Sequence, residues 1–239
     1  RPLVEERVAR GSFESAWRRL LIAILPRRAL FAPLLRLGQL ARPLLPAGLK
    51  RKVPPPAPAA GSWPTTAHPR KMLVLEGCVQ PALSPATNAA AARVLDRLGV
   101  TLVRAGAGCC GAVPFHLNAH DDARAYMRRN IDAWWPHIEQ GAEAIVITAS
   151  GCGVMVKDYA QALTGDRAYA EKAKRVSGLS RDISEIILAE KSRVLALGLQ
   201  PPAASRPRIA FHPPCTLQHG LKVRGKVESL LSDLGYELT

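Results

Sequence analysis

The sequence predicts an α/β fold: a parallel-type sheet with flanking helices, the start of a second, duplicated half, and a preceding segment of basic amphipathic helices. Three observations lead to this prediction. Short apolar runs alternate with Ala-rich helical segments from residue 71 onwards. A similar order of strand, Cys, helix and Leu-Gly returns after residue 208. The excess of basic residues lies almost entirely before residue 72.

Composition and charge limit the classes of protein to which the chain can belong. Its 239 residues are 48% hydrophobic and 5% aromatic, which is typical of a globular protein of one or two domains. Five cysteines are too few for an extracellular disulfide scaffold, so we expect reduced thiols and a cytoplasmic location. The net charge is +14, of which residues 1–71 contribute +11.

The leading segment, residues 1–52, is predicted to form two or three short basic amphipathic helices. Apolar residues recur at helical spacing from Phe13 to Leu25, and Pro26 is expected to end that helix. Pro33 and Pro43 are expected to interrupt the rest of the segment. Such a face can pack on another subunit or lie on the inner face of the cell membrane. We expect no nucleic-acid partner, because neither a binding motif nor an aromatic stacking platform accompanies the charge.

A linker separates this segment from the main domain. Residues 53–70 contain six prolines, which predicts an extended, semi-rigid linker. Residues 71–207 are predicted to form the first domain and residues 208–239 the truncated start of a second half. In the first domain we expect strands over 71–77, 100–106 and 143–150, and helices over 88–99, 121–141, 157–163, 167–176 and 181–197.

Internal duplication is indicated by the spacing of Cys and Gly in the two halves. Gly99 lies 21 positions after Cys78, and Gly235 lies 20 positions after Cys215. In both cases a Leu-Gly pair closes a helical segment, and glycine is the usual residue at that position. The sequence therefore predicts that one structural unit occurs twice.

The cysteines are the candidate functional residues. Cys109 and Cys110 are neighbours in a Gly-rich turn, where a disulfide between them would be strained. They are either two small buried residues or two thiolates aimed at one metal centre. Cys78 follows the first predicted strand, the pair follows the second, and Cys152 follows the third. Because parallel strands end at one edge of a sheet, we expect these four thiols to meet there. Sulfur ligands favour zinc or iron–sulfur.

These residues resemble the CCG cysteine-rich domain family, in which a Cys, a Cys-Cys-Gly and a Cys-x-x-Cys follow at intervals of roughly thirty-odd residues. The stretches that carry the resemblance are GCVQPALSPATNAAAARVLDRLG, GCCGAVPFHLNAH, NIDAWWPHIEQGAEAIVITASGCG and HPPCTLQHG. Within that group they look most like the family of glycolate oxidase (glycolate dehydrogenase) iron–sulfur subunits. In the last position of the first half Ala149 stands where the family has a Cys, so only Cys152 remains.

The resemblance implies an electron-transfer subunit that passes electrons from a flavoprotein carrying FAD towards membrane quinone. It implies an iron–sulfur cluster of the [4Fe–4S] type on Cys78, Cys109, Cys110 and Cys152, with Cys215 as a further cofactor-binding residue. It implies no residue of this chain that acts catalytically on glycolate. It also implies a longer protein with ferredoxin-type motifs upstream and a complete second half.

Two other functions stay open at this point. The first is a thiol–disulfide or substrate site on the Cys-Cys-Gly motif, as in heterodisulfide reductase. The second is a zinc-binding or purely structural docking module that contacts a partner through the basic helices.

Overall fold

The computed structural model describes residues 7, 11–198, 201 and 207–239. It confirms the α/β prediction, because four parallel strands with helices on both faces form the centre of the molecule. The strands are β1 (Arg70–Val74), β2 (Val100–Val103), β3 (Ile145–Ile147) and β4 (Ser180–Asp182), in the spatial order β2-β1-β3-β4.

The helices fall into three groups along the chain. Before the sheet lie α1 (Ser12–Ile24), α2 (Arg28–Ala41), a 3₁₀ turn (Arg42–Leu44) and α3 (Ala47–Lys50). Between β1 and β3 lie α4 (Gln80–Leu83), α5 (Pro85–Arg97), α6 (Ala112–His116) and α7 (His120–Glu139). After β3 come α8 (Ser150–Lys157), α9 (Tyr159–Ala162), α10 (Ala170–Leu179), α11 (Ile183–Ala189) and α12 (Lys191–Ala196).

The sheet separates two apolar cores. Side chains of a strand alternate between its faces, so Leu73 lies in one core and Val74 in the other. The first core contains Trp134 of α7 together with residues of α8 and α10. The second contains Leu95 of α5 with residues of α11 and α12. Burial on both faces explains why residues 72–74 of β1 and the whole of β3 are continuous apolar runs in the sequence.

The second half repeats the beginning of the first. β5 (Arg208–Ile209) and β6 (Glu237–Leu238) are parallel and joined by α13 (Lys226–Asp233), the same order as β1, α5 and β2. Gly99 and Gly235 both have a positive φ, of 73° and 89°, after their helices. A π-helix (Thr216–Gly220) packs this half onto α8, where the side chain of Leu221 lies over Gly153.

Two expectations for the helices are wrong. The helix predicted over 181–197 begins instead as strand β4, and Asp182 then caps α11 by accepting a hydrogen bond from the Ser184 N–H. Pro33 does not interrupt a helix, because α2 runs through it. A proline removes one backbone N–H donor, and a helix can continue through it when its remaining backbone hydrogen bonds are formed. Among the described residues, none of the helices combines the length and the apolar character needed to cross a bilayer.

Candidate metal centre

Four thiols lie at the carboxyl ends of three neighbouring strands. Cys78 follows β1, the pair of Cys109 and Cys110 lies between β2 and α6, and Cys152 is in the first turn of α8 just after β3. Since β2, β1 and β3 are adjacent and parallel, their carboxyl ends form one edge of the sheet. Residues that are 74 positions apart in the sequence therefore reach the same site.

The four thiols form a chain of successive contacts. The Cys78 thiol interacts with that of Cys109, Cys109 with its neighbour Cys110, and Cys110 with Cys152. All four are free thiols. Cys109 and Cys110 are each 2% exposed, whereas Cys78 and Cys152 are half-buried. The site is thus closed to water at its centre and accessible at its two ends.

The contacts between these thiols, together with burial, favour the protonated form of Cys78, Cys109 and Cys110. The hydrogen bond with Cys110 raises the pKa of Cys109 to about 12, with burial adding to the effect. The contact with Cys109, then burial, raises the pKa of Cys78. The contact with Cys109 lowers the pKa of Cys110, but the contact with Cys152 and burial outweigh it and raise that pKa. Several adjacent thiolates repel one another, and a bound cation removes that penalty.

Gly111 shapes the turn that carries the pair. Its φ is +89°, a conformation that side chains other than glycine rarely adopt. A Cβ at this position would lie 3.0 Å from the backbone oxygen of Ala123 in α7. The Gly111 N–H donates to the Cys109 sulfur at 3.4 Å. A backbone donor to a sulfur ligand stabilises its thiolate form.

Asn130 and Tyr159 hold the backbone around the pair, and both were missed by the sequence prediction. The side chain of Asn130 accepts from the Gly108 N–H at 3.0 Å and donates to the Cys109 carbonyl at 2.8 Å. The Tyr159 hydroxyl donates to the Cys110 carbonyl at 2.9 Å. A signal was available for Asn130, because an Asn on the apolar face of a long helix needs a buried partner.

A second polar network fixes the turn that follows Cys78. Gln80 donates to the Thr148 hydroxyl at 2.7 Å, and Thr148 donates to the side-chain oxygen of Asn88 at 2.6 Å. Thr148 directly follows β3, and Asn88 lies in α5. The turn after β1 is therefore tied to the end of β3, which keeps Cys78 on the same edge as Cys152.

Cys215 lies outside the chain of four thiols. It is exposed and immediately precedes the π-helix of the second half. The hydroxyl of the next residue, Thr216, is 2.7 Å from the hydroxyl of Ser150 at the start of α8. Cys215 is thus placed on the side of the molecule that carries Cys152, and its role as a cofactor-binding residue stays a prediction.

The geometry distinguishes two kinds of metal site. A tetrahedral zinc ion draws its sulfur ligands around one point, at Zn–S distances of about 2.3 Å. In the part of the chain that the structure describes, no three Cys, His, Asp or Glu side chains converge in the way a single ion requires. An iron–sulfur cluster distributes its thiolates over several iron atoms, so its ligands need not meet at one point. The donor set, four sulfurs with a backbone donor beside them, fits such a cluster.

Comparison with known proteins agrees with this chemistry. Residues 72–157 match the CCG cysteine-rich domain family. The whole chain is 48% identical to the glycolate oxidase iron–sulfur subunit of Escherichia coli, covering 58% of that protein. It is 21% identical over 69% of its length to the probable glycolate oxidase iron–sulfur subunit of Bacillus subtilis, covering 36% of it. It is 26% identical over 60% of its length to lactate utilization protein A of Bacillus subtilis, covering 56% of it.

Proposed function

Because the chain is a homologue of the glycolate oxidase iron–sulfur subunit and contains a CCG cysteine-rich domain, we propose that it is an electron-transfer subunit of a glycolate (2-hydroxy acid) dehydrogenase complex. The observation that carries the proposal is the chain of contacts from Cys78 to Cys152 at one edge of the sheet. The chain spans a little over half of its Escherichia coli relative, and the activity proposed is that of the whole complex.

Cys78, Cys109, Cys110 and Cys152 are the proposed ligands of one [4Fe–4S] cluster. Such a cluster accepts and releases single electrons at a potential set by its surroundings. The protein contributes the arrangement: the two central thiols are shielded from water, and the Gly111 N–H donates to one of them. Burial and backbone donors to sulfur are two of the means by which a protein tunes a redox centre.

The remaining steps belong to partners. A flavoprotein subunit with FAD is proposed to oxidise glycolate to glyoxylate, and this chain then carries the electrons towards a membrane quinone. Both glycolate and lactate occur in the names of the relatives, and both are 2-hydroxy acids. Selection of the substrate is proposed to be the part of the flavoprotein.

A second candidate function is thiol–disulfide chemistry at the same residues. It is favoured by one observation: the contacts join Cys78 to Cys109 and Cys110 to Cys152, which are two pairs of adjacent thiols. In such a reaction one pair would give two electrons and two protons to a substrate disulfide, which becomes two thiols, and the pair itself would form one disulfide. A zinc-binding docking module has less support, because the thiols are arranged in a chain rather than around one point.

The deciding experiment begins with anaerobic purification of the full-length protein together with its flavoprotein partner. We expect iron and acid-labile sulfide, a visible absorption band that bleaches on reduction, an EPR signal, and glycolate-dependent reduction of an artificial dye. Changing Cys109→Ser together with Cys110→Ser should abolish the cluster signals and lower dye reduction at least tenfold.

Three outcomes would contradict the proposal. Zinc without iron would favour the docking module. Disulfide reductase activity without iron would favour the second candidate. Unchanged glycolate-dependent dye reduction in the double variant would show that this domain does not carry the electrons.

A further inference from the structure

The helices before the main domain carry most of the large apolar side chains that the described residues expose. Nine of the ten such side chains lie within residues 12–52, and they are 44% to 89% exposed. We call these nine the apolar surface: Phe13, Trp17, Leu20, Leu30, Leu34, Leu37, Leu40, Leu44 and Leu49. None of the residues of α1, α2 or α3 is fully buried. So large a set of exposed apolar residues marks an interaction site.

The apolar surface has a regular arrangement on the two longest of these helices. The i, i+4, i+7 spacing that places residues on one side of a helix occurs in both: Phe13, Trp17 and Leu20 in α1, and Leu30, Leu34 and Leu37 in α2. All six of these side chains are exposed. Each helix therefore presents one apolar row to its surroundings.

The charges beside the apolar surface are almost all positive. Residues 12–52 contain nine Arg and Lys and a single acidic residue, Glu14. The carboxylate of Glu14 lies 3.2 Å from the guanidinium of Arg18 in the same helix. The helices α1 to α3 thus combine apolar rows with a strong positive charge, which requires an occupant that is both apolar and anionic.

Three kinds of occupant meet that requirement: another protein subunit, a further part of a longer chain such as that of the Escherichia coli relative, and the surface of a bilayer that contains anionic lipid. Centres of protein interfaces are depleted in charged residues and enriched in aromatic ones. Here seven of the nine apolar side chains are Leu, and basic residues occur along the whole segment. Leu, Phe and Trp on one side with Arg and Lys on the others are typical of helices that lie in a membrane interface.

We propose that α1, α2 and α3 dock this protein on an anionic membrane surface. The apolar rows of α1 and α2 enter the boundary between headgroups and acyl chains, and the basic residues contact lipid phosphates. This inference rests on the proposed function in one respect, because a quinone acceptor is dissolved in the membrane. It assigns the contact to particular residues and to one class of lipid.

Vesicle binding tests the proposal without any redox assay. The full-length protein is mixed with vesicles of phosphatidylcholine containing about 30% phosphatidylglycerol and separated by flotation. We expect binding that falls at least tenfold in pure phosphatidylcholine, and at least tenfold between 0.05 and about 0.5 M salt, because surface charges are screened. The fluorescence of Trp17 should shift to the blue on binding. Trp17→Phe should therefore reduce the shift that is measured for the whole protein.

A matched pair of variants locates the contact. Leu37→Gln removes an exposed leucine of the apolar surface and should weaken binding to the anionic vesicles by about tenfold. Leu83→Gln makes the same change at the one exposed large apolar residue outside that surface, among those the structure describes, and should change binding less than twofold. Neither side chain is buried, so both variants are expected to fold, and their circular dichroism and thermal unfolding verify this.

The outcomes separate this proposal from the proposed function. No binding to anionic vesicles, equal binding to neutral ones, or equal effects of Leu37→Gln and Leu83→Gln would overturn the membrane contact. Loss of the flavoprotein partner in Leu37→Gln, with no vesicle binding by the unaltered protein, would show that a protein covers the apolar surface. Glycolate-dependent dye reduction in solution tests the proposed function alone, and its failure would leave a positive vesicle result standing.

Discussion

Asn130 and Tyr159 form a buried hydrogen-bonded pair, in which the Asn130 amide donates to the Tyr159 hydroxyl at 3.0 Å. Each of the two then donates to a carbonyl of the cysteine pair: Asn130 to that of Cys109 and Tyr159 to that of Cys110. Two residues on different helices thus determine where both central thiols lie. The turn after β2 is held by these side chains, since its own backbone forms no strand or helix until α6 begins.

Tyr159→Phe should destabilise the protein by about 1–3 kcal/mol, because it leaves the Cys110 carbonyl and one N–H of Asn130 buried without a partner. The aromatic ring and its packing in the core are retained, so the loss of stability measures the contribution of the hydroxyl alone. Urea unfolding followed by circular dichroism measures the change in the free energy of unfolding. If a cluster is bound, its reduction potential should shift as well, because the sulfurs are less firmly held.

Tyr169→Phe is the matched control for that prediction. Its hydroxyl donates to the carboxylate of Asp132 at 2.9 Å on an exposed part of the surface. Water can replace that partner, so we expect a change within about 0.5 kcal/mol. Equal losses of stability in Tyr159→Phe and Tyr169→Phe would show that the buried hydroxyl does not support the cysteine turn.

Much of the fold could be predicted from the sequence because the strands are buried on both faces. Residues 72–74 of β1 and the whole of β3 are apolar and buried, and parallel strands place the residues that follow them at one edge. That reasoning predicted which four cysteines share an edge. It did not predict β4, whose sequence Ser-Arg-Asp has no strand character and which joins the sheet by backbone pairing with β3.

The residues that support the cysteine turn were harder to predict than the position of the four thiols. Asn130 and Tyr159 are 29 positions apart, and only the packing of α7 against the helices after β3 brings them together. No local pattern encodes such a contact. Pro33 shows a related limit, because the sequence indicated a break where the surrounding helix in fact continues.

Serine variants of single cysteines should separate the four-thiol site from Cys215. Cys110 contacts both Cys109 and Cys152, so Cys110→Ser interrupts the chain of thiols at its centre and should lower the iron and sulfide content at least fivefold. Four thiolates complete one cluster, so Cys215→Ser, at an exposed position, should retain most of the iron. Anaerobic reconstitution followed by iron and sulfide analysis measures both. Loss of iron in Cys215→Ser alone would place the cluster elsewhere.

The stability of the metal-free protein should fall at alkaline pH. The pKa of Cys109 is raised to about 12 from an ordinary value of 9.0, and the pKa values of Cys78 and Cys110 are raised as well. A raised pKa means that the folded state keeps protons that the unfolded state has released. The stabilisation is therefore complete below about pH 8.5 and is lost as the pH rises towards 12, by at most about 1.4 kcal/mol per pH unit for each thiol.

Unfolding in urea between pH 7 and pH 10 measures this slope. Cys109→Ser removes one of the thiols whose pKa is raised and changes the surroundings of its two neighbours. We therefore expect the free energy of unfolding to fall less steeply with rising pH. Cys215→Ser removes an exposed thiol outside the chain of four and is the control. A slope that is the same in all three proteins would mean that the buried thiols do not titrate differently in the folded and unfolded states.

Gly111→Ala should disturb the cysteine turn more than Gly108→Ala, although both glycines flank the same pair. At Gly111 the φ of +89° is unfavourable for alanine, and the new Cβ would meet the Ala123 carbonyl of α7 at 3.0 Å, so we expect a loss of about 1–3 kcal/mol. At Gly108 no atom lies within 4 Å of the added Cβ, and the change should stay below about 1 kcal/mol. Thermal unfolding of the metal-free proteins compares the two.

Because the Gly111 N–H also donates to the Cys109 sulfur, Gly111→Ala should lower the iron content after reconstitution as well. Equal effects at both positions would mean that the left-handed turn at Gly111 does not hold the thiols in place.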